Sequence, residues 1–411
     1  MHRVVITGMG AIAPNGNGLK NFVENTLNGK IGIKPISKFD ASQTGITVAG
    51  EVDDFDPRDY VGKKEARRMD LYSQYAVQTA AEAVEMAGLN EENTKPEDLG
   101  VIYGSGIGGL TTIQDQVIRM HDKGPRRVSP FFIPMAIANM AAGNISIRFH
   151  AKNISTSIVT ACATGTNSIG EAYRQIKEGR AEAMIAGGSE ATINETAISG
   201  FAALTALSQS TDPEHASLPF DQDRNGFVLG EGAGAMVLES LEHAQARGAK
   251  ILGEVVGYGA TSDAYHITSP DPEGEGAARA MSLAIEEAGI KPEQVDYVNA
   301  HGTATHANDS GEAKAINQVF GKDSDVLVSS TKGMTGHLLG AAGAIEAVIT
   351  VASLNVGKLP MNVGCFNQDP ECEVKLVNQD NQTKAAKYAI SNSFGFGGHN
   401  AVLAFKKWDE Q

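Results

Sequence analysis

The stretch VITGMGA at residues 5–11 sets two glycines at alternate positions of a β-forming run, and VVGYGA at residues 255–260 sets them again. A strand followed by Gly8, Gly10 and Ala13 in a GxGxxA arrangement raises the reading of a dinucleotide-binding turn. That turn needs a helix directly behind it to hold the pyrophosphate, and Pro14, Asn15, Gly16 and Gly18 would break such a helix. Recurrence in the second half of the chain points instead to a duplicated body.

Other pairs keep the same order. A strand, a Thr-Gly step and a helix occur around VTACATGTNS (159–168) and again within VLVSSTKGMTGHLLGAAGAIEAVITVASLNVG (326–357), where Ile345, Val348, Ile349 and Ala352 mark a helix face. GEGAGAMVLES (230–240) is matched by GFGGHNAVLAF (395–405). The halves are read as about 1–250 and 251–411, dividing near EHAQARGAK (242–250). Strands alternating with helices in both predict an α/β fold of two pseudo-repeated βαβ halves, with mostly parallel sheets covered by helices. A duplicated body brings equivalent strand ends together, so a cleft at the junction would draw groups from both halves.

Cys162 lies at one such junction. The run Ile154–Val159 alternates as a strand does, Ile169, Ala172, Tyr173 and Ile176 share one helical face, and Gly179 stops the helix. A helix N-terminus favours an anion and would ease loss of the thiol proton. The neighbours Ala161, Ala163 and Gly165 leave room for a substrate. A buried structural cysteine fits the same local pattern.

Composition narrows the classes. Of 411 residues, 42% are hydrophobic and 20% charged, as in a globular protein, and the net charge of −15 argues against general nucleic-acid binding. On so acidic a chain, the clusters Lys63, Lys64, Arg67, Arg68 and Arg126, Arg127 could dock an acidic partner or form solvated faces. Three cysteines, Cys162, Cys365 and Cys372, imply no disulfide framework and a reducing, cytoplasmic setting. No signal peptide is apparent, no window is expected to approach the length of a membrane span, and no metal site is expected at Cys365 and Cys372.

Two of the ten histidines stand out: His301 ends a strand run and opens HGTAT, and His337 lies in KGMTGHLLGAAG, read as the counterpart of the Cys162 junction. A cysteine protease wants one histidine and an orienting amide or carboxylate. Two imidazoles beside a cysteine, with Lys332 nearby, suit stabilisation of an enolate next to a thioester, each N–H acting as an oxyanion donor worth ~3 kcal/mol. That chemistry makes carbon–carbon bonds.

The blocks TACATG (160–165), HGTAT (301–305), STKGMTGHLLGAAGA (330–344) and NSFGFGGHN (392–400) resemble the four signatures of the elongating 3-oxoacyl-[acyl-carrier-protein] synthases, condensing enzymes of the thiolase superfamily. DAYHITSP (263–270) leans toward their long-chain, type II form. The resemblance implies a thiolase-like fold of layered αβαβα architecture, an acyl thioester on Cys162, and an enolate held by His301 and His337. It implies the Cys162 and Phe396 N–H groups as oxyanion hole, with Lys332 as electrostatic support. Thr303 and Thr305 would bind the pantetheine arm. Ile107 would open an acyl tunnel, with Phe201 and Phe394 as further substrate contacts and Phe394 and Phe396 as a gate. Acyl-carrier protein becomes the partner for the six basic residues, although Thr205 stands where many members carry an arginine. A homodimer is implied, and no cofactor. Some members hold a monovalent cation near the positions of Asn299, Glu346, Ser391 and Asn392; no metal is expected here. Rival readings are a type I elongating synthase, a thiolase acting on acyl-CoA, which usually needs a second cysteine where Phe396 and His399 stand, and an inactive chain-length partner, which tends to lack the nucleophile.

Overall fold

The computed structural model describes residues 1–409, the Asp59 side chain excepted. Its backbone is one eleven-stranded sheet bent around two buried helices. In chain order the main strands are β1 (Val4–Ala13), β2 (Leu99–Gly104), β3 (Ser155–Thr156), β4 (Ala183–Glu190), β5 (Gly232–Ser240), β6 (Gly253–Ser262), β7 (Tyr297–Asn299), β8 (Leu327–Ser329), β9 (Tyr388–Gly395) and β10 (His399–Lys407). They lie in the order β8-β7-β9-β10-β6-β1-β5-β4-β2-β3, with the short strand Gly16–Asn17 beside β1.

The duplication is visible in this order. Outward from the β1–β6 pair, each side repeats two antiparallel and then two parallel pairings: β1-β5-β4-β2-β3 on one side and β6-β10-β9-β7-β8 on the other. The expectation of mostly parallel sheets is therefore corrected to a mixed sheet. A short turn at Phe396–Gly398, with Gly397 and Gly398 at φ 89° and 75°, joins β9 to β10, and a connection that short permits only antiparallel pairing.

The paired glycines that suggested a nucleotide turn are mid-strand. β1 runs through Gly8 and Gly10 without turning, which removes the dinucleotide reading. A methyl group on Gly8 or Gly10 would stand 1.9 or 2.1 Å from the carbonyl oxygens of Ala83 and Thr79, on helix α1 (Leu71–Ala87). In the second half Gly257 and Gly259 meet Ala284 and Ala280 of helix α4 (Glu275–Glu287), both at 2.0 Å. Each glycine pair lets a helix backbone lie directly on its strand.

Five layers result. Helices α1 and α2 (Met140–Phe149) cover one outer face and enclose a core with Tyr72, Ile145, Val101, Ile185 and Val237. Helices α4 and α5 (His306–Phe320) cover the opposite outer face over Met281, Ile316, Val298, Ile390 and Val402. Between the two arms of the sheet lie α3 (Thr164–Lys177) and α6 (Ala342–Val356), whose Ile169, Ile176, Ile345 and Val348 join the largest core. The αβαβα expectation is met.

Two local expectations change. The predicted strand over 154–159 shrinks to Ser155–Thr156, since β3 is the sheet edge and pairs only with β2. Contrary to the expectation of no spanning-length window, the run Leu339–Val356 is long and apolar enough to cross a bilayer, with mean hydropathy 1.6 over 18 residues. It is 89% buried inside the protein and includes the central helix α6, so its apolarity comes from being surrounded on every side.

Candidate active site

Cys162 sits in a single 3₁₀ turn, Ala161–Ala163, that opens directly into α3. Ala161 takes a φ of 50°, in the left-handed region, and the turn is held by Thr160 N–H donating to Thr164 Oγ1 at 2.9 Å. The second half builds the same turn at Leu339–Ala341, with Leu339 at φ 48°, so the counterpart of Cys162 is Gly340 and not His337. His337 lies just before that turn, its N–H donating to the Val228 carbonyl at 2.7 Å. His301 follows β7, and its N–H and that of Gly302 each donate to a Glu312 carboxylate oxygen at 2.8 Å.

These segments converge. Cys162, His301 and His337 line one cavity of about 280 Å³, and Thr303, Thr305, Phe201, Phe394 and Phe396 stand on its wall. The two imidazoles meet edge to face, with ring centres 5.2 Å apart; Phe394 flanks His301 at 5.7 Å and Phe227 flanks His337 at 5.2 Å. Both Nδ1 atoms are buried without a hydrogen-bond partner, which leaves Nε2 as the nitrogen available to the cavity. The loop carrying Phe396 lies over the Cys162 turn: a methyl group on Gly395 would be 2.7 Å from the Thr160 carbonyl oxygen, and the Phe396 N–H reaches the Cys162 sulfur. The Thr303 and Thr305 hydroxyls are 3.0 Å apart.

Two predicted residues lie off the cavity. Ile107 packs on the apolar cluster that includes Cys162, Ile198 and Phe227. Lys332 is buried and ion-paired through Nζ with the equally buried Glu346. Cys365 and Cys372 are free thiols and do not line the cavity.

Electrostatics correct one expectation. The helix N-terminus does not leave the thiol acidic: burial pushes Cys162 up to about 12, with Lys332 opposing and Glu190 reinforcing the rise. Burial also holds His301 and His337 well below the usual imidazole range, aided for both by Lys332. Both rings are therefore neutral near pH 7. Glu346 is pushed up to about 7 by burial, against the pull of Lys332, and Glu312 to about 6 by burial, against its backbone donors.

Sequence reasoning missed three supports of the site. Glu312 receives, besides its two N–H donors, Asn392 Nδ2 at 3.1 Å. Glu190, at the end of β4, accepts four hydrogen bonds, from Ser105 Oγ and the N–H groups of Gly106, Ile107 and Gly340. Arg224, whose side chain is fully buried, donates to the Thr305 and His306 carbonyls at 3.2 Å and pairs with Asp369 at 2.5 Å, tying down the loop that carries the two threonines. The available signal was an acid closing an otherwise apolar run, AMIAGGSE (183–190).

The cation positions give a chemical test. Asn299 Oδ1, Glu346 Oε2, Ser391 Oγ and Asn392 Oδ1 are all buried and all without a partner. Asn299 and Ser391 are cross-strand neighbours on β7 and β9. The Asn299, Glu346 and Ser391 oxygens, grouped by that cross-strand pair and by Asn299 Nδ2 donating to the Glu346 carbonyl at 3.4 Å, fit a monovalent cation, whereas the Asn392 side chain points to the opposite face of β9, where its Nδ2 meets Glu312 and Met281. Such an ion would satisfy the Glu346 oxygen that Lys332 leaves free.

All six basic residues of the two clusters are exposed. The Arg68 guanidinium lies 4.9 Å over the Phe131 ring, which links the one-turn helix Lys63–Ala66 to the segment after Arg126 and Arg127. Among the described residues, none of the six forms an ion pair.

Residues 1–244 match the beta-ketoacyl synthase N-terminal domain, and residues 252–365 the C-terminal domain. The chain belongs to the beta-ketoacyl synthase family. The synthase is 53% identical over 408 residues to a 3-oxoacyl-[acyl-carrier-protein] synthase 2 of Staphylococcus aureus, covering 99% of each chain. It is 50% identical to a protein of that name from a Synechocystis species, covering 99% of this chain and 98% of the other. Among solved structures it superposes on a beta-ketoacyl synthase from Burkholderia phymatum with a TM-score of 0.92, at 33% identity and 100% coverage of both chains. It also matches a type II polyketide ketosynthase solved with its acyl-carrier protein and bound to the hexaketide, with a TM-score of 0.91 at 32% identity, covering 99% of this chain and 100% of that one. The thiolase-like architecture follows from these matches.

Proposed function

We propose that the synthase elongates acyl chains carried on an acyl-carrier protein, by decarboxylative condensation with malonyl-carrier protein, in type II fatty-acid synthesis. The observation that carries this reading is the single cavity shared by Cys162, His301 and His337.

The Cys162 sulfur attacks the acyl thioester; the carbonyl oxygen gathers negative charge within reach of the Cys162 and Phe396 N–H groups. The carrier's thiol then leaves, taking the proton that Cys162 gives up. A second carrier brings malonyl thioester, with Thr303 and Thr305 holding its arm. The bond to the carboxylate breaks, carbon dioxide departs, and the electron pair remains as an enolate whose oxygen accepts from His301 and His337. Neutral imidazoles suit this task because they stabilise the oxyanion by hydrogen bonding without first protonating it. The carbanion attacks the acyl-cysteine, a carbon–carbon bond forms, and Cys162 leaves as thiolate and recovers a proton. Lys332, held by Glu346, supplies the positive field that favours each anion.

The basic clusters and the exposed apolar residues suggest the assembly. Lys63, Lys64, Arg67, Arg68, Arg126 and Arg127 would receive the acidic carrier protein. Ile133, Ile147 and Val159, at 59%, 79% and 53% exposed, lie in the chain segment that includes edge strand β3, and a second copy of this chain would cover them in a homodimer.

Incubation with acyl-carrier protein bearing a labelled acyl group should add the acyl mass to the peptide containing Cys162, and a Cys162→Ala variant should take up none. Elongation at the parent rate by that variant would reject the assignment.

A further inference from the structure

Glu190 ends β4 with no exposed surface, against the counterpart turn Leu339–Ala341, and all of its hydrogen-bond partners are donors. Ser105 Oγ reaches one carboxylate oxygen at 3.0 Å and the Ile107 N–H reaches the same oxygen at 3.2 Å; the Gly106 and Gly340 N–H groups reach the other at 2.8 and 3.0 Å. Ser105 Oγ in turn accepts the Gly108 N–H at 3.0 Å, so the whole Ser105–Gly108 loop is folded about this one anion. The approach depends on two glycines, since a methyl group on Gly106 or Gly340 would lie 2.6 or 2.9 Å from a carboxylate oxygen. With four donors and no acceptor around it, the group is placed to act as a carboxylate; a proton on either oxygen would face an N–H.

We propose that Glu190 is a positioning residue for acyl-chain loading: by gathering Ser105, Gly106, Ile107 and Gly340 onto one carboxylate, it holds the Ile107 side chain on the apolar wall that it shares with Cys162. The inference rests on the reading that Cys162 carries the acyl chain. Ile107 stands outside the open cavity but in the apolar cluster that holds Cys162, so a long chain lodged in that cluster would meet Ile107, while an acetyl group on the sulfur would not reach it. Displacing the loop therefore obstructs long chains selectively. Glu190 is pushed up to about 7 by burial against its four donors, so the latch is also sensitive to charge.

The test compares Cys162 acylation by acetyl- and hexadecanoyl-carrier protein, read by intact mass, in the parent and in Glu190→Gln. A glutamine offers a single acceptor oxygen and turns an NH₂ group toward N–H donors. The ratio of hexadecanoyl to acetyl loading should fall roughly tenfold or more, as expected when a reacting group is shifted by about an ångström. An equal loss at both lengths would mean a merely structural role and overturn the proposal. Ser105→Ala removes one donor and leaves the carboxylate, so it provides the same comparison if the glutamine variant does not fold; its ratio should fall in the same direction by less, and an unchanged ratio counts against the proposal. Adding Ile107→Gly to Glu190→Gln should abolish the length dependence, whereas simple addition of the two losses would show that Glu190 does not act through Ile107. A parent enzyme that never acquires an acyl group at Cys162 would overturn the condensation reading and this role together. Normal parent loading with a flat Glu190→Gln profile would remove this role alone.

Discussion

Lys332 heads the opposition to the burial that raises the Cys162 thiol, and it is itself tied to Glu346. Replacing Lys332 with methionine should slow iodoacetamide alkylation of Cys162 at pH 8, because its largest remaining causes favour the protonated thiol. The same change strands a buried carboxylate and should cost about 3–5 kcal/mol of stability in urea unfolding; pairing it with Glu346→Gln should recover much of that loss. Identical unfolding midpoints for the single and double variants would contradict the account. For the histidines the sign runs the other way. Burial and Lys332 hold both imidazoles well below the usual range, so acidification through pH 7 leaves them neutral while it protonates Glu190, at about 7. The acid limb of kcat should therefore lie near 7. Substituting His301 or His337 by alanine should lower decarboxylation by roughly 10²–10³ without moving that limb; a limb that vanished in either variant would assign it to imidazole. Cys162, His301, His337 and Lys332 were legible in the sequence because each sits in a short block of small residues whose chemistry limits the choices. Glu190, Glu312 and Arg224 were not, since most of their partners are backbone groups of loops, for Glu190 all more than 80 residues away, and a charged residue in a row of letters does not show what it bonds.

At the level of elements, the alternation of strands and helices was readable, and so was the order of the repeated units. The sheet's mixed sense was not. A βαβ rhythm implies parallel neighbours, but the strands nearest the centre are joined by a tight turn at Phe396–Gly398 or cross the sheet to close the two halves against each other. The paired glycines were read from their spacing as a repeat, with a phosphate-binding turn as the weaker rival, because closeness of a helix and closeness of a phosphate make the same demand for a missing side chain. The geometry now separates the two. Gly257→Ala puts a methyl group 2.0 Å from the Ala284 carbonyl oxygen and should lower stability by about 1–3 kcal/mol or more. Gly143→Ala, inside α2 with only the Met140 side chain at 3.7 Å, should leave stability unchanged or raise it by up to about 1 kcal/mol. Equal effects of the two changes on the urea midpoint would count against helix–strand contact as the reason for the repeated pattern.

For the molecule as a whole, a net charge of −15 opposes an acidic carrier, and Lys63, Lys64, Arg67, Arg68, Arg126 and Arg127 gather exposed positive charge that forms no ion pair among the described residues. Reversing Arg67 and Arg68 to glutamate should raise KM for carrier-linked substrates with little change in kcat, and it should flatten the rise of KM with salt. A salt response identical to the parent's would remove the patch from the account. The doubled plan also explains why only one of its two turns carries a cysteine. Ala161 and Leu339 adopt the same uncommon backbone angle, yet a side chain at Gly340 would strike the Gly106 nitrogen at 2.2 Å, in the space that Glu190 and its donors occupy. Reactivity is thus assigned to the front copy by exclusion of volume, and grafting a thiol onto the rear copy would first require emptying the seat that the carboxylate fills.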